Sequence, residues 1–193
     1  VTLADADVKS PEFLSLNPNN KIPAIIDPNG PDGAPIGLFE SGAILLYLAD
    51  KTGKLAGSNA SEKAVVTQWL MFQMGGLGPM LGQMGFFYKF AGADIADPRP
   101  RERYRDEAIR LLAVLEKQLE GQDWIAGDYS IADMAIYGWA TLWEGQGMDI
   151  AEFPHVKAWL ERLGAREAVA KGMEVGKEAR EQLNLDNDRD DQK

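Results

Sequence analysis

Apolar residues follow two rhythms along this chain. Up to about residue 55 they come in short runs broken by turn residues; from Ser61 onward they recur every three to four positions. In the first stretch, "SPEFLSLNP" predicts a short helix with Ser10 as N-cap and Pro11 at the first helical position, ending near Pro18. "AIID" predicts a strand, the turn-rich "PNGPDGAP" a hairpin loop, and "IGLF" the return strand. "ESGAILLYLADKTG" then reads as a helix, with Ser41 as N-cap and Gly53 at its C-terminal stop. The order is helix, strand, hairpin, strand, helix.

After the small polar linker "AGSNA" (56–60) the strand signals disappear. Ser61 to about Tyr88 reads as one long helix rich in aromatic residues and Met, which Pro79 should kink. Tyr104, Ala108, Leu111, Leu112, Leu115 and Leu119 form a helical stripe closed by Gly121. "SIADMAIYGWATLW" and "FPHVKAWLERL" predict two more helices. "DNDRDDQK" carries charge and no apolar anchor, as a frayed tail would. The expected architecture is α/β plus all-α: a small α/β domain over 1–55, an all-helical domain over 61–185, and a tail over 186–193. So short an α/β domain is marginal alone and is expected to pack on the helices.

Composition narrows the chemistry. With 193 residues and 45% apolar content, the chain can bury a real core. Twenty Lys and Arg face thirty Asp and Glu, a net charge of −10. That is the wrong sign for a phosphate backbone or an anionic membrane surface, so neither nucleic acid nor membrane is an expected partner. No cysteine is present, which excludes disulfides, a protein thiolate nucleophile and Cys-held metal, and is compatible with a cytoplasmic location. His155 is the only histidine, at a helix start, and reads as a surface or capping residue; no metal is expected. No transmembrane run or signal peptide is visible.

Four stretches could carry more than packing. Pro23 sits inside the run "NKIPAIID", where proline is normally excluded. A cis Ile22–Pro23 bond would turn Ile22 outward with its backbone unpaired, ready for an extended peptide. A trans proline opening an edge strand fits the spacing equally. In "FESGAILLYL" the helix N-terminus and the Ser41 hydroxyl could hold a carboxylate, with Glu40 beside them for an ammonium group; an ordinary cap and a dipole-complementing acid read the same way. "SIAD" spells a capping box from Ser130 to Asp133, with Tyr129 and Met134 as its hydrophobic staple; this is structural. Phe86, Phe87 and Tyr88 could line a pocket for a hydrophobic co-substrate or simply pack, and the five tryptophans read as packing residues.

"NPNNKIPAIID", "LFESGAILLYLADKTG" and "SIADMA", in that order and separation, resemble a cytosolic glutathione transferase across nearly the whole chain. "GGLGPMLGQ" and "RERYRDE" are similar to the Nu class, the bacterial disulfide-bond reductase-like branch. The resemblance implies a thioredoxin-like N-terminal domain, a helical C-terminal domain and a homodimer. It implies that Ile22 pairs its backbone with the cysteinyl part of glutathione and that Pro23 is a cis-proline. Glu40 and Ser41 would bind the γ-glutamyl ammonium and carboxylate. Arg103 would reach the site from the helical domain, unless it is an exposed charge beside Glu102 and Asp106, and Lys21 would attract the glycyl carboxylate. Val8 stands where the family often has a polar contact, with Lys9 as a neighbouring substitute.

The same resemblance places a strand, a helix and the sulfur-activating residue upstream of Val1, so no catalytic side chain is assigned. It implies a glutathione-binding enzyme. The bound thiolate would reduce disulfides or conjugate electrophiles, with glutathione supplying the cysteine that the chain lacks. A non-catalytic binding or regulatory module on the same fold is the alternative.

Overall fold

The computed structural model describes residues 5–177, and side chains from residue 7 onward. The expectations for Val1 and for the tail at 186–193 lie outside these residues. A single turn, α1 (Asp5–Val8), leads into α2 (Pro11–Leu16). The Ser10 side chain caps α2 by accepting the Phe13 N–H at 3.2 Å, as the sequence predicts. β1 (Ala24–Asp27) and β2 (Ile36–Phe39) pair antiparallel, Ala24 opposite Phe39 and Asp27 opposite Ile36. The hairpin reverses through Pro31–Gly33. The Ile22–Pro23 peptide entering β1 is cis, which decides between the two readings of that proline.

α3 (Ser41–Thr52) follows β2 almost at once and ends on Gly53, whose φ of 66° lies in the left-handed region. Ser41 is not the N-cap. Only one residue separates strand from helix, so Glu40 makes the whole turn, with φ 69° and ψ 115°, and occupies the cap position. Its carbonyl accepts the Ile44 N–H at 2.9 Å. The displaced Ser41 hydroxyl instead lies 3.8 Å from the Met74 sulfur. Asp27 ties the hairpin to α3. Its carboxylate accepts the Tyr47 hydroxyl at 2.7 Å and the Lys51 ammonium, which also reaches the Asn29 carbonyl at 2.7 Å. The Lys51 bond first, then Tyr47 and the Asn29 N–H, hold the Asp27 pKa down at about 2.

The helical part opens on α4 (Ala60–Phe72). The linker before it is a built cap: Asn59 accepts the Glu62 N–H, and Glu62 takes the Ser58 N–H and hydroxyl, both at 2.7 Å. The single long helix expected from Ser61 to Tyr88 is interrupted. A wide π turn, Gln73–Leu77, separates α4 from α5 (Gly78–Lys89). Pro79 has no N–H to give to the turn before it, and the irregularity appears in that turn. α6 (Arg99–Gln118) packs on α5 and buries Ala108, Leu111, Leu112 and Leu115, most of the predicted stripe. α7 (Ile131–Ala140) stops short of Trp143, and α8 (Pro154–Gly164) and α9 (Glu167–Glu174) complete the described chain.

Polar groups fix how these helices meet. Asp133 is fully buried and accepts four bonds: the Ser130 N–H and hydroxyl, the Ile125 N–H and the Trp159 indole N–H. The capping box is therefore present and also anchors α8. Glu116 on α6 accepts the N–H groups of His155 and Val156 at the start of α8, and the His155 ring nitrogen Nδ1 lies 2.5 Å from the same carboxylate. The α/β part docks through α3 on α7, and the Leu55 carbonyl accepts the Ile131 N–H at 2.9 Å.

Candidate functional site

The end of α2, the entry to β1 and the start of α3 converge on a polar cavity of about 170 Å³. Asn17, Asn19, Lys21, Ile22 and Pro23 line it from one side, Glu40 and Ser41 from the other. Five of the six predicted binding residues thus share one space. Ile22 is 65% exposed, and among the described residues its backbone has no hydrogen-bond partner. Glu40 brings a carboxylate to the rim, and the α3 N-terminus brings unpaired N–H groups and a partial positive charge. An extended edge, a cation-seeking acid and an anion-seeking helix end in one cavity match a short zwitterionic peptide.

Arg103 is the exception: it lies exposed on α6 and lines neither this cavity nor the next. Its charge falls on Glu107, whose carboxyl is held below its usual range mainly by Arg110.

A second, larger cavity of about 420 Å³ adjoins the first and shares Pro23 and Ser41 with it. Ile44 and Leu45 of α3, Gln73 and Met74 of the π turn, and Met134, Ala135, Gly138 and Trp139 of α7 complete its wall. Sequence reasoning missed these residues: Met and Trp at helical spacing read as packing. The one available signal was the glycine-rich, proline-broken stretch at 73–79. Gln73 is 3% exposed, and its Oε1 has no partner among the described residues. Phe86, Phe87 and Tyr88 line neither cavity. Phe86 packs edge-on against Phe87, which stacks on Tyr104, so these two pack. Among the described residues no group of three or more acidic, His or Cys side chains could hold a metal ion, and no helix is long and apolar enough to cross a membrane.

Residues 1–50 match the glutathione S-transferase N-terminal domain, and residues 87–167 match the glutathione S-transferase C-terminal domain. The disulfide-bond oxidoreductase YfcG of Escherichia coli is 50% identical over 165 residues, spanning 84% of this chain and 76% of that protein. A glutathione transferase from Burkholderia graminis, solved with two glutathione molecules per subunit, superposes with a TM-score of 0.83 at 56% identity, covering 89% of this chain and 74% of that one. One from Pseudomonas putida, solved with one glutathione disulfide per subunit, gives 0.83 at 49% identity, covering 88% and 76%. With both domains matched and half of the aligned positions shared with a relative matched over three quarters of its length, the chain belongs to the glutathione S-transferase family.

Proposed function

We propose that this chain binds glutathione in the polar cavity and uses its thiolate to reduce disulfides or conjugate electrophiles. The observation that carries the reading is the convergence of the unpaired Ile22 backbone, Glu40 and Ser41 on one 170 Å³ space. Ile22 pairs with the cysteinyl residue beside Pro23. Glu40 holds the γ-glutamyl ammonium, and Ser41 with the α3 N-terminus holds its carboxylate. Lys21 at the rim attracts the glycyl carboxylate. In this division residues 1–55 bind the tripeptide, and the helical domain, 61–185, joins α3 in walling the larger cavity through α7 and the π turn, where the second substrate sits.

In disulfide reduction the glutathione thiolate attacks one sulfur, forming a mixed disulfide and releasing the other sulfur as a thiolate that takes up a proton. A second glutathione resolves the mixed disulfide into glutathione disulfide and the second thiol. The relatives named as a disulfide-bond oxidoreductase and as holding glutathione disulfide support this chemistry. We place the protein in the cytoplasm as a homodimer. Exposed Val65 and Met71 on α4 and Val114 on α6 supply apolar area for the second copy, and light scattering on the purified protein tests that.

The test is calorimetric titration with glutathione, then turnover with glutathione and a small disulfide. Binding that weakens in both Glu40→Ala and Ser41→Ala is the expected result, and unchanged affinity in both refutes the site. Binding without turnover on any disulfide or electrophile would favour the non-catalytic module.

A further inference from the structure

Between the end of α2 and Pro23 the chain winds around one side chain. Asn17 is 1% exposed, although it lines the polar cavity. Its backbone N–H closes α2 on the Phe13 carbonyl at 2.8 Å, and its carbonyl accepts the Asn20 N–H at 3.1 Å. Its side-chain Oδ1 accepts the Asn19 N–H at 2.9 Å, and its Nδ2 donates to the Lys21 carbonyl at 2.5 Å. The last of these bonds matters most. The Lys21 carbonyl and the Ile22 N–H belong to the same planar peptide unit and point in opposite directions across it. Holding that oxygen fixes where the Ile22 N–H is aimed. A hydrogen bond to the oxygen also polarises the unit and makes the N–H a better donor.

We propose that Asn17 is a positioning residue: through the Lys21 carbonyl it aims the Ile22 N–H outward and sets the tripeptide's backbone pairing. This rests on the reading that glutathione pairs with Ile22. Asn17 touches no reacting atom. Its contribution is to remove freedom that binding would otherwise have to freeze.

Two substitutions separate positioning from general support. Asn17→Asp keeps the size and the acceptor for the Asn19 N–H but cannot donate to Lys21. Asn17→Ala removes both bonds. Ser10→Ala loosens the other end of α2 and serves as the control for mere destabilisation. In folded protein, Asn17→Asp should weaken glutathione binding and raise its KM about fivefold or more, the fold-change of one ordinary hydrogen bond. Its kcat at saturating glutathione should stay within about twofold, because uniform binding is what is lost. The Ile22 amide resonance should shift in the unliganded Asp variant, and Ser10→Ala should leave both KM and that resonance unchanged. Should Asn17→Asp not fold, Asn17→Ala carries the same expectations.

Wild-type affinity and KM in the folded Asn17 variants, or an equal loss in Ser10→Ala, overturns the proposal. Glu40→Ala separates the two failures. If it weakens binding and the Asn17 variants do not, the positioning role falls alone. If the wild-type protein binds no glutathione, the functional reading falls and the positioning role with it.

Discussion

Glu40 is asked to do two things, and two substitutions can pull them apart. Its φ of 69° with ψ of 115° is a conformation that a residue with a Cβ rarely adopts. Holding a non-glycine residue there costs about 1–3 kcal/mol. Glu40→Ala removes the carboxylate but keeps the Cβ, so the strain remains. Glu40→Gly removes both. Glycine also gains unfolded-state freedom, which costs about 0.5–1 kcal/mol. Strain relief is the larger effect, so the Gly variant should be more stable than the Ala variant by about 1 kcal/mol, or a melting temperature higher by about 3 °C. Both variants lose the same charged contact to the ligand ammonium, and glutathione should bind about ten- to a hundredfold more weakly in each. Urea melts at constant slope and calorimetric titration measure the two effects separately. If Gly is no more stable than Ala, the strain argument is wrong. If either variant keeps wild-type affinity, the carboxylate does not hold the ammonium.

Removing the Asp133 carboxylate by Asp133→Ala strands three buried N–H donors. It should cost about 4 kcal/mol in urea unfolding, and a loss below about 1.5 kcal/mol would contradict the four-bond assignment. Ser130→Ala should cost only about 1 kcal/mol by the same measurement, since the aspartate remains. The folded-state pKa of Asp27 is depressed from 3.8 to about 2, so its ion pair stabilises the fold above about pH 4 and loses that contribution as pH falls towards 2. Lys51→Gln removes the largest cause of the depression. Its stability gap from wild type, followed by urea midpoints from pH 6 to 2, should close on acidification, and a gap that is flat or widens below pH 4 would refute the pairing.

Features set by nearest neighbours were legible in the chain. The Ser10 cap, the hairpin and the Ser130–Asp133 box each depend on residues a few positions apart, whose chemistry has few alternatives. Glu40 shows where this stops. The sequence pattern puts the cap at Ser41, one residue too late, because a glutamate announces no positive φ, as a glycine or asparagine there would. The π turn was half legible: Pro79 signalled an irregularity, but where the missing N–H is absorbed depends on packing against α6 and α7. The larger cavity was not legible at all. Met74, Met134 and Trp139 have the spacing of core residues, and only the three-dimensional meeting of α3, α7 and the π turn leaves space between them. Arg103 was named by resemblance and stands on an outward-facing turn, which no helical periodicity contradicts.

Pro23 and Ser41 form a party wall between two rooms. Everything else in the polar room comes from the first part of the chain, and most of the other room's lining comes from α7 and the π turn. The two sets of side chains can therefore vary independently. Under the proposed function, substitutions on α7 would reshape what the protein accepts as its second substrate while the grip on the tripeptide stays untouched, and only a change at the shared wall would have to satisfy both.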